Sequence, residues 1–286
     1  MKVNWVIENF TKEYSYIELA EAVKKQNYSL IEIKGDYNRE LLRPFLDGNR
    51  HCVIFNGSIK MAQLVRQQLP GNSCEPVIFC GGDILNNFRN FLCSKYYAHF
   101  GDYLFNDKYV MMSLNEFYRQ KFFIYGILGK DGLVFIRPDS GEKPFTAQLL
   151  DFQDVERFYY ENIIYKHELV LVSTPKNIKW EGRFVVNKDK EIIAHSTYRM
   201  QGQKTIVPHV PPETLAKCKE ILKIGYYPDE VFCIDLCQDN DLETWLLELT
   251  SFSSAGLYAC NKDKIVTAVS RAAWKKYEEK ETYVFV

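Results

Sequence analysis

Two carboxylates stand inside otherwise apolar, strand-like runs: Asp235 in Phe232-Cys233-Ile234-Asp235-Leu236, and Glu248 in the run from Trp245 to Phe252. The polar segment from Cys237 to Thr244 lies between them, so the two runs are predicted to pair as a hairpin. A carboxylate in apolar surroundings is costly unless something cationic meets it. Two readings answer that cost. Each acid is a solvent-facing or salt-bridged strand residue, or the pair holds a divalent metal through oxygen ligands.

Cations precede the carboxylates in the chain. The apolar run Val134-Phe135-Ile136 ends on Arg137, and the turn-forming segment Pro138-Asp139-Ser140-Gly141-Glu142 leads to Lys143. Arginine stays charged when partly buried and binds phosphate in a bidentate fork. The plainer alternative pairs Arg137 with Asp139 or Glu142 at the surface. An apolar run, Leu169-Val170-Leu171-Val172-Ser173-Thr174-Pro175, comes next, and then Trp180-Glu181-Gly182-Arg183-Phe184-Val185-Val186. Strand alternation puts Glu181 and Arg183 on one face of that segment.

The resulting order is cationic strand end, cationic loop, apolar strand, Glu-x-Arg strand, Asp strand, Glu strand. It resembles the ATP-grasp superfamily of carboxylate ligases over about Tyr96 to Trp274. More narrowly it resembles a clade found in phages and bacteria in which arginine replaces a nucleotide-binding lysine. The resemblance implies ATP held between two α+β subdomains, with an α/β domain in front. Arg137 and Lys143 would contact phosphates, and Glu181 would join the nucleotide-binding set. The main chain of Leu171, Val172, Ser173 and Thr174 would form the hinge that meets adenine. Arg183 would face the transferring phosphate, and Asp235 and Glu248 would bind Mg2+. Many relatives carry asparagine two residues after the glutamate, where this chain has Thr250, a poorer oxygen donor for a second metal. The phosphate loop holds one glycine, Gly141, where the family pattern is glycine-rich. Tyr198, Arg199, Lys204 and the segment Ser251 to Tyr258, Ser253 included, are the substrate-pocket candidates.

The implied activity is ATP-dependent carboxylate–amine ligation through an acylphosphate, on small-molecule or peptide acid and amine substrates. Two rivals share the nucleotide half: a catalytically silent nucleotide-binding protein, and a kinase-like phosphotransferase with a non-carboxylate acceptor. Composition narrows the other classes. The 286 residues carry a formal net charge of −1 with 47% hydrophobic and 26% charged side chains, so no global field favours nucleic acid or membrane. None of the eight cysteines forms a C-x-x-C pair, and several lie in apolar runs. Reduced thiols in a cytoplasmic protein are expected. The N-terminal residues lack the apolar core of a signal peptide, and no apolar run approaches the roughly 20 residues that span a bilayer.

The elements that must position these residues fall into two parts, 1–100 and 101–286. In the first, Val3–Ile7, Ser29–Ile33, Cys52–Phe55 and Pro76–Cys80 read as strands, the last ended by Gly81-Gly82. Ser58–Gln68 reads as a helix capped by Ser58. Strands alternating with helices predict a mainly parallel sheet. Asp83–Phe100 reads as helix, and Phe105–Gln120 as strand and helix. From Phe122 onward three hairpin turns are predicted. Gly129–Gly132 joins strands Phe122–Leu128 and Leu133–Arg137, Asn187–Lys190 joins Arg183–Val186 and Glu191–His195, and Asn261–Lys264 precedes strand Ile265–Ala268. Pro211–Leu222 reads as a helix stopped by Gly225, and Ser270–Lys280 as a charged helix. His195 and His209 read as structural.

Overall fold

A computed structural model describes residues 2–9, 14–34, 40, 42–43, 51–68, 77–79 and 89–282. The N-terminal strands β1 (Val3–Glu8), β2 (Ser29–Ile33), β3 (Cys52–Asn56) and β4 (Val77–Phe79) form a parallel sheet in the order β2-β1-β3-β4. Helices α1 (Tyr14–Lys25) and α2 (Ile59–Gln68) cross between them. The near-continuous apolar runs of β1 and β3 are those of strands covered on both faces. Ser58 caps α2 as its type predicts, its Oγ accepting the Met61 N–H at 3.1 Å. Gly81-Gly82 and the first six residues of the predicted helix Asp83–Phe100 lie outside the described residues. Its end is helix α3 (Cys93–Phe100).

A second sheet holds β5 (Tyr109–Ser113), β6 (Leu133–Pro138), β7 (Gln148–Asp151) and β8 (Leu169–Ser173), antiparallel in the order β5-β8-β6-β7. Helices α4 (Leu114–Arg119), α5 (Lys121–Leu128) and α6 (Val155–Glu161) cover it. The third sheet holds β9 (Trp180–Asn187), β10 (Ile192–Met200), β11 (Gln203–Val207), β12 (Val231–Gln238) and β13 (Thr244–Ser251). It is antiparallel in the order β11-β10-β9-β12-β13. Helix α7 (Pro212–Lys223) starts with proline in its first turn and is followed by Gly225 at φ 88°. Helix α8 (Lys262–Thr282) ends the described chain.

The third sheet is buried on both faces. Trp180, Phe184 and Val186 of β9, with Phe232, Ile234 and Leu236 of β12, pack under α3 and α7. Val185, Val231 and Cys233 on the opposite face pack with α1, α8 and the parallel sheet. The C-terminal helix thus shares a core with the N-terminal strands, and α3 shares one with the third sheet.

Two predicted strands are helices. Residues 121–128 form α5, not a strand, although the turn after it stands, with Asp131 at φ 54° and Gly132 at φ 77°. After Lys121 the run from Phe122 to Leu128 carries no charged residue, so its local pattern has no period to separate the two forms. The tertiary structure decides by burying Ile124 and Leu128, four residues apart, under the second sheet. Likewise Asn261–Lys264 is no hairpin turn. The Asn261 Oδ1 accepts the Lys264 N–H at 3.0 Å and opens α8, and Ile265, Val266 and Val269 form its buried stripe.

Candidate active site

The row of polar residues lies where the apolar filling of the third sheet stops. Cys233 and Val185 face the α8 core, and their alternate neighbours Asp235 and Arg183 continue on the same face. Register pairs Asp235 with Arg183 on β9 and with Glu248 on β13, so the hairpin expected of the two carboxylates forms and sets them side by side. A bulge after Asp235 shifts the register beyond it.

Arg183 grips Asp235 with a two-bond fork, Nε to Oδ1 at 2.8 Å and Nη2 to Oδ2 at 2.6 Å. Its Nη1 donates to the Gly256 carbonyl at 2.7 Å. Both side chains are almost fully buried. Burial pushes the Asp235 carboxyl up, and the Arg183 guanidinium against both of its oxygens opposes that. The rings of Tyr258 and Tyr198 stack at 4.8 Å, with the Arg183 guanidinium carbon 5.1 Å and 5.9 Å from their centroids. Glu181 continues the row on β9. Its Oε2 accepts the Tyr198 hydroxyl at 2.9 Å and its Oε1 lies 3.4 Å from Arg199 Nε. Burial raises the Glu181 carboxyl more than these two partners lower it.

Glu248 is where the second and third sheets meet. Arg137, the last charged residue of β6, donates from Nη2 to Glu248 Oε2 at 3.2 Å, and Lys143 Nζ reaches Oε1 at 3.3 Å. Burial alone would raise the Glu248 carboxyl, but Lys143, Arg137 and Arg183 together hold it at about 2. Arg137 does not pair with Asp139. Asp139 instead accepts the Ser94 N–H and hydroxyl at 2.6 and 2.7 Å and anchors the start of α3. The Arg137 Nε is buried and has no acceptor among the described residues.

The remaining candidates divide. Thr250 is on the Glu248 strand, its Oγ1 3.3 Å from Glu248 Oε1. Leu171, Val172 and Ser173 lie in β8 between β5 and β6, buried, with ladder partners on both sides. Thr174 follows the strand, its N–H reaching the Lys108 carbonyl at 3.4 Å. Lys204 is exposed on edge strand β11, opposite Arg199. Ser253 is 1% exposed, its Oγ 2.9 Å from that of Ser251 and its carbonyl accepting the Gly57 N–H. These bonds fasten the loop to the parallel sheet. Sequence reasoning missed Lys176, just after β8, which pairs with Asp107 and donates to the Phe105 carbonyl at 2.6 Å. It also missed Lys262, placed in the supposed hairpin turn. Neither carries a motif, and only contacts across the fold distinguish them.

The donor chemistry suits a magnesium nucleotide. Among the described residues no group of three or more His, Cys, Asp and Glu assembles. Magnesium needs only one or two carboxylates beside phosphate and water. Glu248, held ionised, and Asp235 beside it could hold such a metal, and the unmatched Arg137 Nε and the half-exposed Lys143 could donate to an anionic group.

The architecture that holds this row is an ATP-grasp fold. Residues 127–268 match the model of the ATP-grasp domain, R2K clade family 2. The chain is similar in structure to a RimK domain protein ATP-grasp from Sphaerobacter thermophilus, at TM-score 0.58 and 11% identity over 94% of this chain and 97% of that one. It is similar to the D-cycloserine synthetase DcsG, at TM-score 0.62 and 9% identity over 95% and 99%. It is also similar to D-alanine–D-alanine ligase from Bacillus anthracis, at TM-score 0.56 and 11% identity over 98% and 99%. No curated protein matches the sequence. No described helix is long and apolar enough to cross a membrane.

Proposed function

We propose that the protein is an ATP- and Mg2+-dependent carboxylate–amine ligase that works through an acylphosphate and releases ADP and phosphate. The observation that carries this reading is the convergence on Glu248 of Arg137 and Lys143 from one sheet, beside the Asp235–Arg183 pair of another. Two cations meeting two carboxylates in this way suit a nucleotide whose phosphates are partly neutralised by a metal. The arginine at 137 stands where the family pattern has lysine. Residues 1–100 are read as the leading α/β domain and 101–286 as the ATP-grasp domain, with its hinge near 171–174.

Arg137 and Lys143 would exchange Glu248 for phosphate oxygens. Glu248 and Asp235 would hold Mg2+, which supplies charge neutralisation at the β- and γ-phosphates. Arg183 would face the γ-phosphorus as a substrate carboxylate oxygen bonds to it and the bond to the ADP oxygen breaks. The amine nitrogen then bonds to the acyl carbon, and phosphate leaves with the acyl C–O bond. Tyr198, beside Arg183, and Arg199, beside Glu181, are the residues assigned to substrate. The small-molecule and peptide ligases among the similar structures are in keeping with either substrate class. The protein is read as cytoplasmic.

The test is nucleotide analysis across a pool of amino acids and peptides. ADP and inorganic phosphate formed only with an acid acceptor support the ligase. AMP and pyrophosphate refute it, and a phosphorylated non-carboxylate product assigns a kinase instead.

A further inference from the structure

Lys262 occupies an unfavourable place. It is the first residue of α8, where the helix dipole disfavours a cation, and it is only 6% exposed. Its Nζ donates to the Tyr258 carbonyl and lies 3.0 Å from Glu18 Oε2 on α1. The start of α8 does not need it, since Asn261 supplies the cap. Tyr258 holds φ at 44°, a left-handed conformation costly for an aromatic residue and kept only where surroundings enforce it. The turn from Gly256 to Tyr258 gives Arg183 a carbonyl at 2.7 Å and a ring face at 5.1 Å. Two of the supports that aim Arg183 therefore sit on a strained turn, and Lys262 ties down its last residue.

We propose that Lys262, paired with Glu18, is a positioning residue. It fixes the Gly256–Tyr258 turn so that Arg183 is held in one orientation, and so links helix α1 beside the parallel sheet to the reacting centre. This rests on the reading of Arg183 as the group facing the transferred phosphoryl. Misplacing such a group by about 1 Å costs roughly 100-fold in rate. Lys262 touches neither the phosphate cations nor the carboxylates, so nucleotide binding is spared.

The test uses the full chain and its variants Lys262→Met, Lys262→Arg and Glu18→Gln. The first readout needs no substrate: the Arg183 Nε–Hε signal in a 15N-arginine-labelled sample, assigned with Arg183→Lys. In the wild-type protein this N–H donates to Asp235 Oδ1, and slow exchange is the expected result. Lys262→Met shifts the signal and speeds its exchange at least tenfold, Glu18→Gln does so to a smaller degree, and Lys262→Arg restores it. The second readout is turnover, where Lys262→Met lowers kcat 10- to 100-fold and leaves KM for ATP within twofold. If Lys262→Met does not fold, Glu18→Gln decides. An unchanged Arg183 signal in every folded variant overturns the proposal, and so does a changed signal with unchanged kcat. A wild-type protein that turns over no ATP refutes the ligase reading on its own, and the arginine signal still decides whether the clamp exists.

Discussion

Replacing Glu248 by glutamine tests the charge network at its centre. The wild-type carboxyl titrates at about 2 against an ordinary 4.5. At 1.36 kcal/mol for each pH unit, that gap is roughly 3 kcal/mol of stability from the ionised form. The folded value is depressed, so this stability is complete above the unfolded value of 4.5. It is lost as pH falls from there toward 2. Glutamine keeps one acceptor for Arg137, and relief of repulsion on Asp235 offsets part of the loss. The expected net cost at pH 7 is therefore about 2 kcal/mol, below the roughly 3–5 kcal/mol of a buried pair broken outright. Urea unfolding of both proteins from pH 7 to pH 3 measures it. The wild-type advantage should shrink steadily below pH 4.5. Binding by calorimetry adds a second arm. The variant frees Arg137 and Lys143, so metal-free ATP should bind at least as tightly as to wild type, while the gain on adding Mg2+ disappears. A stability difference below about 0.5 kcal/mol, or one constant with pH, refutes the assignment of Glu248 as the shared partner of both cations.

Arg137→Ala should raise KM for ATP, since it removes charge-assisted phosphate bonds of about 1.5–3 kcal/mol each, whereas Arg183→Ala should lower kcat with a smaller effect on KM. Steady-state kinetics on the two variants checks this, and the reverse partition would exchange their roles. Asp235→Asn should abolish turnover and also destabilise the fold, because it leaves the buried Arg183 without its counter-charge; thermal unfolding beside the turnover assay separates the two losses. Burial pushes the Cys52 and Cys260 thiols up to about 12, and Cys233 higher still. Iodoacetamide at pH 8 should leave these three unlabelled in the native protein and label them once it unfolds, as read by peptide mass mapping.

The legible parts of the site were those written into a single local pattern. A carboxylate at alternate spacing in an apolar run, with a polar turn between two such runs, determines which face each acid takes and that the strands pair. Asp235 and Glu248 are accordingly cross-strand neighbours. Glu181 and Arg183 share a face for the same reason. The helix α5 was not legible, because the uncharged run from Phe122 to Leu128 has no period, and only burial of Ile124 and Leu128 chose its form. The burial of Ser253 was not legible either, because small polar residues mark loops and burial cannot be read from type alone.

By itself the sequence determined the faces, the turns at Gly129–Gly132 and Asn187–Lys190, and the chain order of the charged groups, since side-chain alternation and turn chemistry are local. The tertiary structure decided the partners. Arg137 turns from its neighbour Asp139 to Glu248, 111 residues away, because Asp139 is taken by the start of α3 and the second sheet meets the third at β13. Arg183 meets Asp235 across 52 residues because sheet order sets β9 beside β12. Lys262 meets Glu18 because the C-terminal helix packs with the N-terminal strands. Which charge neutralises which depends on how distant segments stack. That choice is made when burial removes water from all of them together, which no local pattern records.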